Sequence, residues 1–156
     1  MPSFQIVALD PSPFTSLFAL DDAQLAAHAA QRRVANEAFG FPCRVSLEDA
    51  AIGDELLLVN FEHHAVASPY RASGPIFVRR SATPAALAVG EVPPYLTRRL
   101  LSVRAYDAQH LMRTASVCEG SAIAAELERV FSDAEVAYIH LHNAKPGCFA
   151  CRVERA

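Results

Sequence analysis

Two short stretches of this sequence collect side chains that can do chemistry. The first is Glu62-His63-His64, followed closely by Tyr70 and Arg71; the second is His140-Leu141-His142-Asn143, followed by Lys145 and Cys148. In an extended strand alternate side chains share a face and lie about 7 Å apart, so His140 and His142 point the same way, as does Tyr138. Neutral imidazoles at that spacing suit a divalent transition metal such as zinc, with His64 or Cys148 as a third ligand. They equally suit strand histidines satisfied by a carbonyl, by water or by each other. No second ligand pair at a diagnostic spacing accompanies them.

Arg44 and Arg71 carry a different chemistry. A guanidinium near the end of a buried strand holds a carboxylate or phosphate through a bidentate fork. Combined with His63, His64, Tyr70, His140, His142 and Asn143, the two arginines describe a polar pocket for a small anion, to which Lys145 adds an amine. A histidine in such a pocket transfers protons near neutral pH, and His63, His64 and His142 are the candidates. The competing role for each arginine is an internal ion pair with Glu48, Asp49 or Glu62. Cys43, in Gly-Phe-Pro-Cys-Arg, is the candidate nucleophile: Arg44 beside it is placed to stabilise a thiolate, and a histidine can act as base. Cys148-x-x-Cys151 has the spacing of a redox pair, but positions i and i+3 of a strand face opposite sides, which keeps the two sulfurs apart. There is no glycine-rich phosphate loop, paired-carboxylate spacing or nucleophile elbow.

The composition limits what partners such a site can serve. The chain has 156 residues, 52% of them hydrophobic and 20% charged, with a formal net charge of −3. That is enough apolar material for one packed core and too little positive charge for a phosphate-neutralising surface, so a nucleic-acid partner is not expected. The N-terminal apolar stretch has no basic leader and stops at Asp10, and no uncharged run approaches the roughly 18 residues needed to span a bilayer. A cytoplasmic protein with no membrane partner is therefore expected, its four cysteines held as thiols.

The elements that must position these residues follow from periodicity. Alternation marks an opening strand at 4–8, a nearly continuous apolar run marks a central strand at 55–64, buried on both faces at its start, and a second apolar run marks a neighbouring strand at 76–78. Further strands follow at 101–106, 112–118, 136–142 and 149–153, the last two joined by the turn at Lys145-Pro146-Gly147. Asp21 and Asp22 open an Ala-rich helix to about residue 30. Pro94 starts a short helix through Leu100, with Arg98 and Arg99 toward solvent. Ser121 caps the clearest helix, 121–131, whose apolar face uses Ile123, Ala124, Leu127, Val130 and Phe131. Strands and helices do not alternate regularly, so a doubly wound sheet is disfavoured. The expected fold is α+β: a single domain with a mostly antiparallel, curved or barrel-like sheet and the helices 21–30 and 121–131 packed on it.

Three motifs extend this reading: Gly-Phe-Pro-Cys-Arg-Val-Ser-Leu-Glu-Asp-Ala (40–50), Ser-Pro-Tyr-Arg-Ala-Ser-Gly-Pro-Ile-Phe-Val (68–78) and His-Asn-Ala-Lys-Pro-Gly-Cys (142–148). In this order they resemble a bacterial family catalogued as domain of unknown function number 1203. The resemblance brings no activity, substrate or cofactor; it implies that the chain is a whole domain and that the three motifs meet at one site. Three functional expectations stand: a pocket for a small anionic molecule, with or without turnover; a divalent-metal site on His140, His142 and Cys148 or His64; and a non-enzymatic interaction module that pairs as a homodimer.

Overall fold

The structure, a computed structural model, describes residues 2–156. Its strands sort into two five-stranded sheets rather than one. The first has the order β1 (Phe4–Val7), β10 (Phe149–Arg155), β9 (Tyr138–Asn143), β7 (Leu100–Tyr106) and β8 (Met112–Glu119). The second has the order β2 (Ala30–Val34), β5 (Glu55–His64), β6 (Ala72–Arg79), β3 (Pro42–Cys43) and β4 (Glu48–Asp49). Every pairing is antiparallel except the single parallel bridge between Cys43 and Phe77. The α+β class and the antiparallel character agree with the sequence. The barrel-like alternative does not hold, because both sheets end in free edge strands.

Each sheet has its own apolar cluster. On the first sheet, Leu101, Val103, Ile139, Leu141 and Val153 form one face, and helix α4 (Ile123–Phe131) closes it with Ile123, Leu127, Val130 and Phe131. These helix positions recur every three to four residues, so one side of α4 is continuously apolar. Ser121 is not the cap expected of it: Gly120–Ala122 form a 3-10 turn, and the α-helix starts after Ala122 without a side-chain cap. Gly120 has to be glycine because a Cβ there would lie 1.9 Å from the Leu96 carbonyl oxygen. On the second sheet, Leu57, Val59, Ile76 and Val78 pack under Phe14 and Phe18 of the N-terminal segment, where α1 (Ser12–Thr15) runs into a 3-10 turn.

Two boundaries differ from the sequence expectation for local reasons. Helix α2 (Asp22–Ala27) has the expected acidic start, with a full capping box between Asp21 and Gln24, but ends well before residue 30. Ala29 reverses the chain with φ 52°, and β2 follows at once. Helix α3 (Pro94–Thr97) is one turn long; Arg99 turns inward to Asp49 instead of facing solvent, whereas Arg98 also pairs with Asp49 but stays exposed as expected. Among the described residues no helix is long and apolar enough to cross a membrane.

Candidate functional site

Strand β9 divides the expected site in two. All six of its residues are buried, because both faces of the strand are covered. Leu141 and Ile139 point into the α4 core, whereas Tyr138, His140 and His142 point the other way, toward the end of β5. There five of the six histidines of the chain gather with Tyr106, Tyr138 and Phe149: the ring centroids of His64 and His140 are 4.8 Å apart, those of His63 and His142 5.0 Å, and those of His64 and His110 6.2 Å. The pairing register adds Arg104 of β7 and Arg152 of β10 on either side of His140.

The hydrogen bonds fix the proton positions on part of this cluster. His64 Nδ1 lies 2.8 Å from the Tyr70 carbonyl and must donate to it, so Nε2 accepts from the Tyr138 hydroxyl at 2.6 Å. That hydroxyl oxygen then accepts from His110 Nδ1 at 2.8 Å. His142 Nδ1 likewise donates to the Gly147 carbonyl at 3.0 Å. His63 Nδ1, His140 Nδ1 and His142 Nε2 have no protein partner. Burial makes the charged imidazolium costly, and it pushes His63 and His142 down to about 4 and His140 to about 2, with neighbouring histidines and Arg104 or Arg152 acting in the same direction. Burial also lowers His64, against the opposing pull of the Tyr70 carbonyl. At neutral pH His63, His64, His140 and His142 are uncharged rings.

Neutral rings are the form in which histidine binds metals, yet the third-ligand positions are taken. His64 spends both nitrogens on Tyr70 and Tyr138, and Cys148 lies elsewhere, hydrogen-bonded to Arg44 and Asn143. Among the described residues no group of three or more His, Cys, Asp or Glu side chains is placed to hold a metal ion.

The second half of the expected site is a cavity of about 510 Å³ between the two sheets. Its lining draws on all three sequence motifs: Gly40, Pro42 and Arg44 from the first, Pro75, Ile76 and Phe77 from the second, and Asn143, Lys145, Pro146 and Cys148 from the third. Arg98, Arg99 and Leu100 complete one wall. The three motifs therefore meet at one place, as the sequence led us to expect, but the histidines are not part of it.

Arg44 forms the floor of this cavity and is 1% exposed. Its backbone is pinned between the sheets, N–H to the Phe77 carbonyl at 3.1 Å and carbonyl to the Leu9 N–H at 3.1 Å. Its guanidinium donates to the Phe149 carbonyl through Nε at 2.7 Å, to the Pro42 carbonyl through Nη1 at 2.6 Å, and to Cys148 Sγ through Nη2 at 3.1 Å. Among the described residues it has no carboxylate partner. A guanidinium carries five N–H groups, so one on each terminal nitrogen remains free for a further acceptor.

Cys148 is held opposite this cation by the turn that follows β9. The Asn143 N–H donates to the Cys148 carbonyl at 2.9 Å, the Gly147 N–H donates to the Asn143 carbonyl at 2.8 Å, and Gly147 adopts φ 81°, which glycine takes without strain. The Asn143 side-chain amide donates to Cys148 Sγ at 3.4 Å, while its Oδ1, also buried, has no partner. Lys145 projects from the exposed part of the same turn. Arg98 and Arg99 are both paired with Asp49, whose side chain is almost wholly buried. No Asp or Glu side chain lines the cavity, although the Glu37 carboxylate abuts Gly40 at its rim.

Two other candidate residues fall outside both sites. The Cys43 side chain lies wholly in the core of the second sheet, where its sulfur accepts the backbone N–H groups of Arg79 at 3.2 Å and Ser46 at 3.5 Å. Arg71 makes a bidentate pair with Glu62 at 3.2 Å on the exposed end of β5, the competing role named for it above. Tyr70 contributes its carbonyl to His64 while its ring is 40% exposed. Sequence reasoning passed over His110, a lone histidine in a loop, and took the half-buried Arg99 as solvated. Arg104 and Tyr106 were visible only as alternate positions of an ordinary strand.

A family model described as a protein of unknown function (DUF1203) matches residues 40–155, the span that contains the cavity lining except Phe39, the histidine cluster and every strand but β1 and β2. The comparisons with curated proteins and with solved structures found no match.

Proposed function

We propose, from the premise that the chain belongs to the DUF1203 family, that it binds a small organic anion in the cavity above Arg44. The observation that carries this reading is a buried guanidinium without a carboxylate partner. Burying an ion costs several kcal/mol even after the protein relaxes, and two backbone carbonyls compensate only part of a full charge. An anion from solution, seated on the free N–H groups of Arg44 and flanked by Lys145, completes that compensation. Arg98 and Arg99 reinforce the positive potential of the wall even though Asp49 neutralises part of their charge.

The apolar share of the lining says what the rest of the ligand is like. Leu58, Pro75, Ile76 and Phe77 of the second sheet and Phe39 at the mouth face a volume within the range of small-molecule sites. An inorganic ion would leave these surfaces wet, so the preferred ligand is a carboxylate with an apolar body. Titration calorimetry of the Cys148→Ser variant with phenylacetate, acetate and phosphate, at matched ionic strength, tests this. Phenylacetate is expected to bind most tightly and to lose at least fivefold in affinity on Lys145→Ala. Equal, non-saturating heats for all three salts would overturn the proposal.

A further inference from the structure

We propose that Cys148 is a nucleophile that forms a covalent bond with an electrophilic carbon of an anionic molecule held in the cavity. The inference rests on the anion reading above and adds the chemistry of the site. The sulfur is partly exposed on the cavity and accepts hydrogen bonds from the Arg44 guanidinium at 3.1 Å and the Asn143 amide at 3.4 Å. Donors aimed at a sulfur stabilise the negative charge that makes it a nucleophile, and a neighbouring arginine is one of the settings in which reactive thiols occur. Neither donor is adventitious. Arg44 is 1% exposed and has no carboxylate to serve, and Asn143, 5% exposed, keeps its Oδ1 unpartnered beside the sulfur.

The unpartnered Oδ1 is the second sign that something else belongs here. A buried carbonyl oxygen left without a donor is destabilising, and a hydroxyl or N–H of a bound molecule, or a water accompanying it, removes that penalty. The remaining cysteines lack this setting. Cys43 and Cys151 are buried in the cores, and burial pushes the Cys151 thiol up to about 12. Cys118 is partly exposed on β8, but burial and the carboxylates of Glu126 and Glu119 push its thiol up. It is a built-in reference of similar accessibility without the cationic surroundings.

The step is a displacement. Cys148 gives its proton to solvent, its sulfur forms a C–S bond with the electrophilic carbon, and the leaving group departs with the electron pair of the broken bond. Iodoacetate and iodoacetamide are the probes, because they differ only in charge and both release iodide. The alkylation rates of Cys148 and Cys118 in the full-length protein are followed by peptide mass mapping. Cys148 is expected to react at least tenfold faster than Cys118 with iodoacetate, and to favour iodoacetate over iodoacetamide severalfold, a preference that Cys118 does not show.

Replacing the buried Arg44 risks the fold, so Lys145→Ala on the exposed turn carries the charge test and is expected to lower the ratio of the iodoacetate rate to the iodoacetamide rate at Cys148 at least twofold. If Cys148 reacts no faster than Cys118 with either reagent, the nucleophile proposal is overturned, while the calorimetry on Cys148→Ser still decides the anion reading. If Cys148 outruns Cys118 with both reagents but without charge preference, the nucleophile stands and its substrate is not an anion, which overturns the proposal as stated.

Discussion

Acidification from pH 7 to pH 5 should remove a large part of the stability of this protein through its buried histidines. His140 and His142 are 2% and 1% exposed and are held at about 2 and about 4 in the folded chain, against about 6.5 when unfolded. Below pH 6.5 the unfolded chain takes up a proton at each, and the folded chain does not. Stability therefore rises with pH across this window and falls as the pH drops, by up to about 1.4 kcal/mol per pH unit for each histidine. Integrated from pH 7 to pH 5, the loss is a little under 2 kcal/mol per ring, hence about 4 kcal/mol for the pair. His63, whose ring keeps some contact with solvent, adds a smaller amount in the same direction. The total is a substantial fraction of the 5–15 kcal/mol that holds a typical domain folded. Glu55 and Glu126, held below the ordinary carboxylate range by Arg32 and Arg129, act in the same direction but mostly below pH 5, where an unfolded carboxyl takes up its proton. Urea unfolding at the two pH values measures the loss, and His140→Gln should shrink it by about 2 kcal/mol. Equal stability at pH 7 and pH 5, or a His140→Gln variant with an unchanged pH slope, would refute the assignment of these rings as buried and neutral.

Other perturbations read other parts of the structure. Tyr138→Phe deletes the hydroxyl shared by His64 and His110 and leaves His64 Nε2 unsatisfied, so a loss of about 1–3 kcal/mol in chemical denaturation is expected. Gly147→Ala places a side chain at φ 81° and should cost about 1–2 kcal/mol, while changing Cys148 alkylation because the same turn sets the sulfur against Asn143. Leu127→Ala empties a fully buried position between α4 and the first sheet and should lower stability by about 2–5 kcal/mol without altering Cys148 reactivity.

Much of the secondary structure was legible because it depends on local periodicity. Helix α4 buries residues in the 3.6-residue pattern that the sequence displays, β6 and β7 bury alternate residues, β5 reads as a nearly continuous apolar run, and β9 is buried throughout. Strand β2 was not legible: Gln31, Arg32 and Arg33 make a polar edge strand, and only its pairing with β5 reveals it. The separation into two sheets depends on partners distant in sequence, β1 with β10 and β7 with β9, which no local pattern encodes.

The site was half legible for the same reason. Strand alternation put Tyr138, His140 and His142 on one face, and the three motifs named the stretches that line the cavity. Adjacency in sequence suggested that Arg44 serves Cys43, whereas its side chain reaches across to Phe149 and Cys148, more than a hundred residues on. The single pocket anticipated for arginines and histidines is two sites because Asn143 and His142 are neighbours on a strand and so face opposite ways.

The most direct test of the central claim observes Arg44 itself. Its Nε–H, buried and donated to the Phe149 carbonyl, should give a protected side-chain resonance in a ¹⁵N-correlated spectrum. Titration with phenylacetate is predicted to shift this resonance and the Asn143 side-chain amide together along one saturable curve. Shifts confined to exposed arginines such as Arg71, with Arg44 and Asn143 unmoved at saturating salt, would contradict the account.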